Sequence, residues 1–399
     1  MLLLSSAPLE APPRSTDMFD PISLAWAIVS LTSISIAAYA LNVYINIQHI
    51  FKRRHQCIKL SVQELYIYPI KSCGEIRLPS SAKVTPIGFE HDRILQVVSK
   101  EVDQKNSPSE PDWSFCTPRE KRYEKLFHVK PTLMDGSNNN TNLKLSSKYV
   151  KEEFTLKLEE VLSRFGSMVT RPTFSTTMGG ASPVLLEDCG IKVAKWLEEA
   201  TGITGCRLVG IGENFRRFVK VNDDQGDDIP MIHEGYSSYG RRGNMLLPRP
   251  SVSLADEAPF LLTTRSSLVD LNKRLGKGKQ VDMRRFRPNI VIDGLQPWEE
   301  DSLKRIRIGA VEFHVWQRCG RCTMTTIDRD SLERCGEPLS TLSNFRERDN
   351  GQRNFGMHLI PARPWELKEE RIFVGDEVEI LEYDEERRAE WMRLFGKSS

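Results

Sequence analysis

From Pro21 to Ile50 the chain carries no Asp, Glu, Lys or Arg, and Ile22 to Ile45 is apolar apart from hydroxyl residues and Asn42. A helix needs about 20 such residues to cross a bilayer. The pattern therefore predicts a transmembrane anchor over 21–50, with Trp26 and Tyr44 at the levels of the two interfaces. Glu10, Arg14, Asp17 and Asp20 lie before it, and Lys52, Arg53, Arg54 and Lys59 follow. That asymmetry places the bulk of the chain on the cytosolic side. A signal peptide carries its charge before the apolar run, the reverse of this order. Residues 1–20 read as disordered.

Beyond the anchor the period changes. Gln63 to Ile70 reads as a strand closed by a turn at Pro69, and further short strands are expected at Lys83–Val84 and Ile94–Val98, with Gly88 and His91-Asp92-Arg93 between. Glu101 to Trp113 is a polar loop, and Asp135 to Asn142 a flexible tip. Asp188 to Ala200 is predicted as a helix, capped by Asp188, striped by Ile191, Ala194, Leu197 and Ala200, and stopped by Gly202. Asn222 to Asn244 reads as a long surface loop. Ser266 to Leu275 is a second helix, and Ile290 to Ile292 a strand. Trp298 to Ile308 reads as a polar connection. Val311 to Trp316 alternates as a strand, Ile372 to Ile380 as a β-hairpin, and Glu385 to Leu394 as a charged helix. The fold class is mainly β with helices, α+β.

Composition narrows the function classes. Lys+Arg of 56 against Asp+Glu of 54 gives a net charge of +2 in 399 residues, too balanced for a nucleic-acid-binding face. The eight cysteines are irregularly spaced apart from one Cys-x-x-Cys, so reduced thiols are the expectation.

That pair lies in Arg318-Cys319-Gly320-Arg321-Cys322, followed by the β-prone run Thr323 to Ile327. Arginines beside a thiol favour the thiolate, the form that binds metal or attacks. Three readings stay open on the residues alone: a metal or cofactor thiolate, a pair of buried apolar cysteines, and a redox disulfide. Structural zinc usually shows two close pairs, and only one is present. A thioredoxin-like site opens a helix in a βαβ context, which is absent here.

The chain resembles the MOSC proteins, and within them the amidoxime-reducing component branch. The matching pieces are Tyr68-Pro69-Ile70-Lys71-Ser72-Cys73, Asp92-Arg93, Thr117-Pro118-Arg119-Glu120, Asp188-Cys189-Gly190 with Trp196, Ala258-Pro259-Phe260-Leu261-Leu262, Phe286-Arg287-Pro288-Asn289-Ile290-Val291, Cys319-Gly320-Arg321-Cys322 with Thr325-Thr326-Ile327-Asp328, and Val374-Gly375-Asp376. They run in the family's order over about residues 61–381. The resemblance implies a MOSC N-terminal β-barrel domain at 61–175, a larger MOSC β-barrel domain with helices at 176–382, a cofactor cleft between them, and a charged tail at 383–399.

It also implies a molybdenum cofactor, with Cys322 as the protein ligand to the metal; a soft thiolate suits that ion. Lys71, Ser72, Arg93, Arg287 and Asn289 fall where the family binds the cofactor, Asp256 falls in a segment that lines the site, and Arg321 is expected to favour the Cys322 thiolate. Two departures stand out. Gly320 replaces a usual Ser, and His358 stands where an aromatic hydroxyl often contacts the cofactor and is expected to bind it in that group's place. The implied activity is reduction of N-hydroxylated substrates such as amidoximes and hydroxylamines. Electrons would come from NADH through a reductase and a b-type cytochrome, at the mitochondrial outer membrane. The alternatives within the resemblance are a cofactor carrier and a sulfur-handling role, as in the C-terminal part of molybdenum-cofactor sulfurase. That protein brings a pyridoxal-phosphate domain upstream, and only residues 1–60 precede the match here.

Overall fold

Why the strand sequences differ in character follows from where they lie. A computed structural model describes residues 59–100, 113–135, 141–171, 184–219, 250–347 and 351–396, with positions 165, 167 and 218 excepted. Its main element is an eight-stranded sheet in the order Val378–Tyr383, Leu303–Ile308, Val311–Arg321, Arg353–Pro361, Phe260–Thr264, Ile290–Asp293, Ser61–Ile67, Ile76–Leu78. Ile290 and Ile292 enter one apolar core with Phe260, Phe313 and Leu359, while Val291 between them enters another with Tyr66, Leu271 and Phe355. Burial on both faces explains the unbroken Ile-Val-Ile run. Each such side chain contributes about 1.5–3 kcal/mol by leaving water. Phe260–Thr264 and Ile290–Asp293 run parallel, joined across the helix Arg265–Leu275, whose first turn is capped by Thr264.

A closed barrel takes the strands Met168–Arg171, Val184–Asp188, Arg207–Gly210, Leu95–Lys100 and Trp113–Phe115. It encloses a third core containing Leu95, Val97, Leu186, Leu197 and Leu208. A meander of Lys130–Asp135, Thr141–Ser147 and Val150–Lys157 adjoins it in sequence. The protein is thus mainly β with helices and barrel-like in its N-terminal part, and Lys59–Ser399 forms one compact unit. The first two strands of that unit, Ser61–Ile67 and Ile76–Leu78, belong to the large sheet and not to the barrel.

Local expectations are corrected in four places. The helix runs Ile191–Thr201 with Gly190 at its cap, and Asp188 accepts from Gly190 N at 2.8 Å instead of capping it. Ile191 is exposed, and Val193 is buried in its stead. Trp298 to Ile308 is not merely a connection: it holds a 3₁₀ turn and the strand Leu303–Ile308, whose Leu303, Ile306 and Ile308 are buried. The expected hairpin at 372–380 is two strands in different sheets. Arg371–Phe373 pairs with Ser81–Thr85, and Val378–Tyr383 pairs with Leu303–Ile308. Finally, Thr323–Thr326 is a 3₁₀ turn and not a strand. Thr325 Oγ1 donates to Cys322 O at 2.9 Å and Thr326 Oγ1 to Thr323 O at 2.7 Å. Threonine hydroxyls that bond backwards along the chain override β-propensity.

The single-pass membrane assignment is also corrected. Among the described residues no helix is long and apolar enough to cross a membrane. The stretch 1–20 expected to be disordered, the anchor expected at 21–50, most of the loop expected at Glu101–Trp113 and the one expected at Asn222–Asn244 lie outside the described residues, so an anchored, cytosol-facing protein finds no support.

Candidate functional site

Two turns that follow apolar strands open the site. Pro69 follows the first strand, and Ile70 then forms a parallel bridge to Leu95, the first residue of the Leu95–Lys100 strand. Leu95 N donates to Pro69 O at 3.0 Å, Lys71 N to Leu95 O at 2.7 Å, and Arg93 N to Tyr68 O at 2.9 Å. The turn at Lys71-Ser72 is therefore stitched to the turn at His91-Asp92-Arg93. Ser72, Arg93 and Arg287 have φ of 70°, 51° and 54°, a left-handed backbone that side-chain-bearing residues seldom adopt. Strain of this kind persists where surrounding contacts enforce it, and it clusters at functional sites.

Between those turns Tyr68 is flanked by two guanidinium groups. Arg93 stands 4.6 Å and Arg287 4.1 Å from its ring centre. Arg93 is held by Asp92 Oδ2 at 2.5 Å, Asn289 Oδ1 at 3.2 Å and Arg287 O at 3.1 Å. Asn289 also accepts from Leu261 N at 3.2 Å and donates to Tyr66 O at 3.3 Å. Both ends of the Asn289 amide are therefore engaged by the protein, and its observed work is to clamp three strands and Arg93. Arg287 donates to Cys73 O at 2.7 Å through one nitrogen. Its other terminal nitrogen, Nη2, is buried without a partner. Burial, reinforced by Arg329, lowers this guanidinium to about 9.

A carboxylate organises the second wall. Asp256 Oδ1 lies 2.6 Å from Lys71 Nζ, and its Oδ2 lies 4.0 Å from the Arg119 guanidinium. Arg217 donates to the carbonyls of Ser253 at 2.7 Å, of Ala255, and of Asp256 at 3.0 Å, fixing the segment that carries Asp256. Burial alone would raise the Asp256 carboxyl, but Lys71, Arg119 and Arg217 outweigh it and hold it well below the carboxylate range. Lys71, buried over the Phe115 ring at 4.6 Å, is lowered by desolvation to about 8, with Asp256 pulling the other way.

The third wall is the motif strand, Val311–Arg321. Cys319 is buried within it, and Cys322, half-buried, starts the 3₁₀ turn just beyond. Arg321 Nη1 lies 2.7 Å from Cys319 Sγ, and Nη2 donates to Phe286 O. The expectation that Arg321 serves Cys322 is thus corrected, because alternation along an extended strand points residues two apart to one side. The cation that faces the Cys322 thiol is Arg119. Cys319 is also faced by His358, whose Nε2 lies 2.9 Å from Glu257 Oε2. Burial would raise the Cys319 thiol, but Arg321 and His358 prevail and lower it. Burial would likewise lower His358, but Cys319 and Glu257 raise it to about 10.

These walls enclose a cleft of about 440 Å³, within the range of small-molecule sites. All nine residues singled out from the sequence line it: Lys71, Ser72, Arg93, Asp256, Arg287, Asn289, Arg321, Cys322 and His358. Arg119, Glu257, Thr117 and Phe115 line it too. Of these, Arg119 and Thr117 sit in a motif noted in the sequence without a role, and Glu257 is next to Asp256. Among the described residues no group of three or more His, Cys, Asp or Glu side chains is arranged to hold a metal by itself, so a metal here would enter with other ligands. The donor set suits an anionic cofactor that takes one thiolate. Six cations line the cleft against Asp256 and Glu257. Arg287 Nη2 and Arg321 Nε are buried without a partner, and Cys322 offers a soft sulfur at the edge.

The sequence also matches known domain families here. Residues 59–202 match the MOSC N-terminal beta barrel domain and residues 249–379 the MOSC domain. The chain is a MOSC-domain protein that carries both parts. It is homologous to mitochondrial amidoxime-reducing component 1 of Homo sapiens, at 28% identity over 335 residues, 80% of this chain and 83% of that protein. Molybdenum cofactor sulfurase of Danio rerio is 28% identical over 310 residues, 75% of this chain but 32% of the sulfurase. The Drosophila melanogaster sulfurase is 28% identical over 342 residues, 82% of this chain and 36% of that protein. The chain thus spans about a third of the sulfurases and most of the amidoxime-reducing component.

Proposed function

We propose that the protein is a molybdenum-cofactor oxidoreductase that reduces N-hydroxylated compounds, amidoximes and hydroxylamines, with electrons from NADH delivered through a reductase and a b-type cytochrome. The observation that carries this reading is the half-buried Cys322 at the edge of a cleft lined by six cations. Homology over most of the length of an amidoxime-reducing component supports the same class.

Cys322 would hold the metal. Arg287, Lys71 and Arg119 would neutralise the anionic part of the cofactor, and Ser72 would add a hydroxyl. Arg93 and Asn289 would act mainly by holding Arg287 and the strand ends in place. The bound cofactor would supply two-electron reduction of the N–O bond. The chain's own contribution is ligation, charge and exclusion of water.

The test uses the full chain made in cells that synthesise the cofactor. Molybdenum analysis comes first, then reconstitution with NADH, the reductase and the cytochrome, with benzamidoxime as substrate. Stoichiometric metal and turnover are expected. Metal without turnover on any N–O substrate sinks the reductase reading and leaves the cofactor reading standing.

A second reading is kept because the sulfurases match at the same identity: a cofactor carrier or sulfur-handling protein. Release of bound cofactor to an acceptor apo-enzyme, with no reductase activity, favours it.

A further inference from the structure

One row of side chains enters the cleft without contributing to anion binding. Glu257 precedes the Phe260–Thr264 strand, His358 lies on the next strand opposite Leu261, and Cys319 lies on the strand beyond. Three consecutive segments of the fold thus each contribute one titratable group. Glu257 Oε2 stands 2.9 Å from His358 Nε2 and accepts from Gln317 Nε2 at 3.1 Å. The Glu257 side chain is 20% exposed and that of His358 9%, so the row leads from water to a buried sulfur. Cys319 in turn is held by Arg321 Nη1. The charged and titratable groups around His358 are therefore Glu257, Cys319 and, through Cys319, Arg321; Arg119 also acts on Glu257.

The overall reduction, R–NH–OH + 2 e⁻ + 2 H⁺ → R–NH₂ + H₂O, breaks one N–O bond. One proton completes the water and the other the amine. The electron pair comes through the cofactor from NADH, and a positioned side chain that delivers a proton in the transition state accelerates such a cleavage.

We propose that His358 donates the proton to the departing oxygen, that Glu257 restores it from solvent, and that Cys319 is a positioning residue that holds the imidazole charged and aimed. This rests on the reductase reading above. His358 then takes one proton from solvent through Glu257 for each one it gives to the departing oxygen, the amine takes the second proton from solvent, and NADH supplies the electron pair. His358 is nine-tenths buried, with Glu257 2.9 Å from its Nε2 and the Cys319 thiol beside it, an enclosed setting and not that of a surface histidine.

The experiment compares the full-length, cofactor-loaded protein with H358Q, and with E257Q as a second variant should the first not fold. Molybdenum content, the pH profile of kcat and the solvent isotope effect are measured with benzamidoxime. In the cofactor-free proteins, alkylation of Cys319 by iodoacetamide is followed against pH by mass spectrometry. H358Q should keep its metal and its KM and lose about 100-fold in kcat, with partial rescue by added imidazole. Its Cys319 should need a higher pH to alkylate. H358Q turning over at the parental rate and pH profile overturns the donor role while the reductase reading stands. An unchanged Cys319 alkylation profile overturns the positioning role. A parent protein that holds metal but reduces no N–O substrate removes the reductase reading itself, and the donor role with it.

Discussion

Arg321 stands 2.7 Å from the sulfur of Cys319, two residues back along its own strand, and not against its neighbour Cys322. The two cysteines of the motif therefore have different cations: Arg321 and His358 for Cys319, Arg119 for Cys322. Cys319 is enclosed and Cys322 opens on the cleft.

This division predicts unequal effects of substitution. Cys322→Ser should purify without molybdenum, while Cys319→Ser should keep most of it, since Cys322 is the more exposed of the two sulfurs and Cys319 is buried against Arg321. Metal analysis of the two purified variants decides it. Parental metal in Cys322→Ser would refute the ligand assignment.

How far the site could be read from the sequence depends on the range of the contacts. The turns at Lys71-Ser72 and Phe286-Arg287-Pro288-Asn289 stand out because each is a short polar break after or before an apolar strand. What they do is not local. Asn289 clamps Arg93 from 196 positions away, so a residue expected to bind a ligand has its amide engaged by the fold instead. Arg119 faces Cys322 from about 200 positions away. The expected hairpin at 372–380 failed for the same reason: Arg371 bonds Ser81 Oγ at 3.0 Å, 290 positions distant. No local pattern carries that information. The 3₁₀ turn after Cys322 was obscured differently, by side-chain hydrogen bonds that propensity does not count.

Gly320 can be tested directly, because its backbone pairs with Asn354 and has no left-handed φ. A Cβ there would lie 3.2–3.4 Å from the flexible end of Gln352. Gln352 has to shift by only a few tenths of an ångström. Gly320→Ser should therefore fold with stability within about 0.5 kcal/mol of the parent. It would also place a hydroxyl on the cleft wall. Urea denaturation checks the stability, and a drop beyond about 2 kcal/mol would show the strand to be tighter than it looks.

Gly356 is the opposite case. Its φ is 81°, and an added Cβ would stand 2.6 Å from Leu262 O and 2.8 Å from Thr263 Cγ2. The close approach lets the Arg353–Pro361 strand carry Phe355 into the core and His358 to the cleft. Gly356→Ala adds backbone strain of about 1–3 kcal/mol to a clash with backbone that cannot move aside. The melting temperature should fall by several degrees, by about 2–4 °C per kcal/mol if the unit melts as a domain of ordinary larger size. An unchanged melting point would count against the geometry described.

Asp301 ties the motif strand to the rest of the fold. It accepts from the buried Arg346 through both oxygens, at 2.8 and 2.9 Å, and from the half-buried Arg318 Nε at 2.9 Å. Removing its charge strands the buried Arg346 guanidinium, while Arg318 keeps Glu390 at 2.8 Å, and breaking a buried pair in this way typically costs about 3–5 kcal/mol. Asp301→Asn should destabilise the protein by that order in denaturant titration. Burial alone would raise the Asp301 carboxyl, but Arg346 and Arg318 hold it below the ordinary range. The stability it adds is therefore present above the unfolded value and is lost as pH falls through the lowered one. A variant with parental stability at pH 7 would remove Asp301 from the anchoring role.

Lys71 gives the clearest pH dependence, and the sign is set by burial. Desolvation lowers it from 10.5 to about 8 in the folded protein, against the pull of Asp256. Between about pH 8 and 10.5 the unfolded chain holds the proton and the folded chain does not. Unfolding therefore takes up a proton in that window, and the Lys71 contribution to stability improves as pH rises through it. Anion binding follows the reverse course: the cleft keeps the Lys71 charge below about pH 8 and loses it above. Inorganic phosphate, used as a probe of the cofactor-free protein by calorimetry, should bind more weakly once pH passes that point. Asp256→Asn takes away the carboxylate that keeps Lys71 charged, so the fall should begin at a lower pH in the variant. Lys71→Met should remove the step near pH 8 while leaving weak binding by Arg119 and Arg287, the latter losing its charge only towards about pH 9. A phosphate affinity that is flat from pH 7 to 9 in the parent would mean that Lys71 does not face the anion.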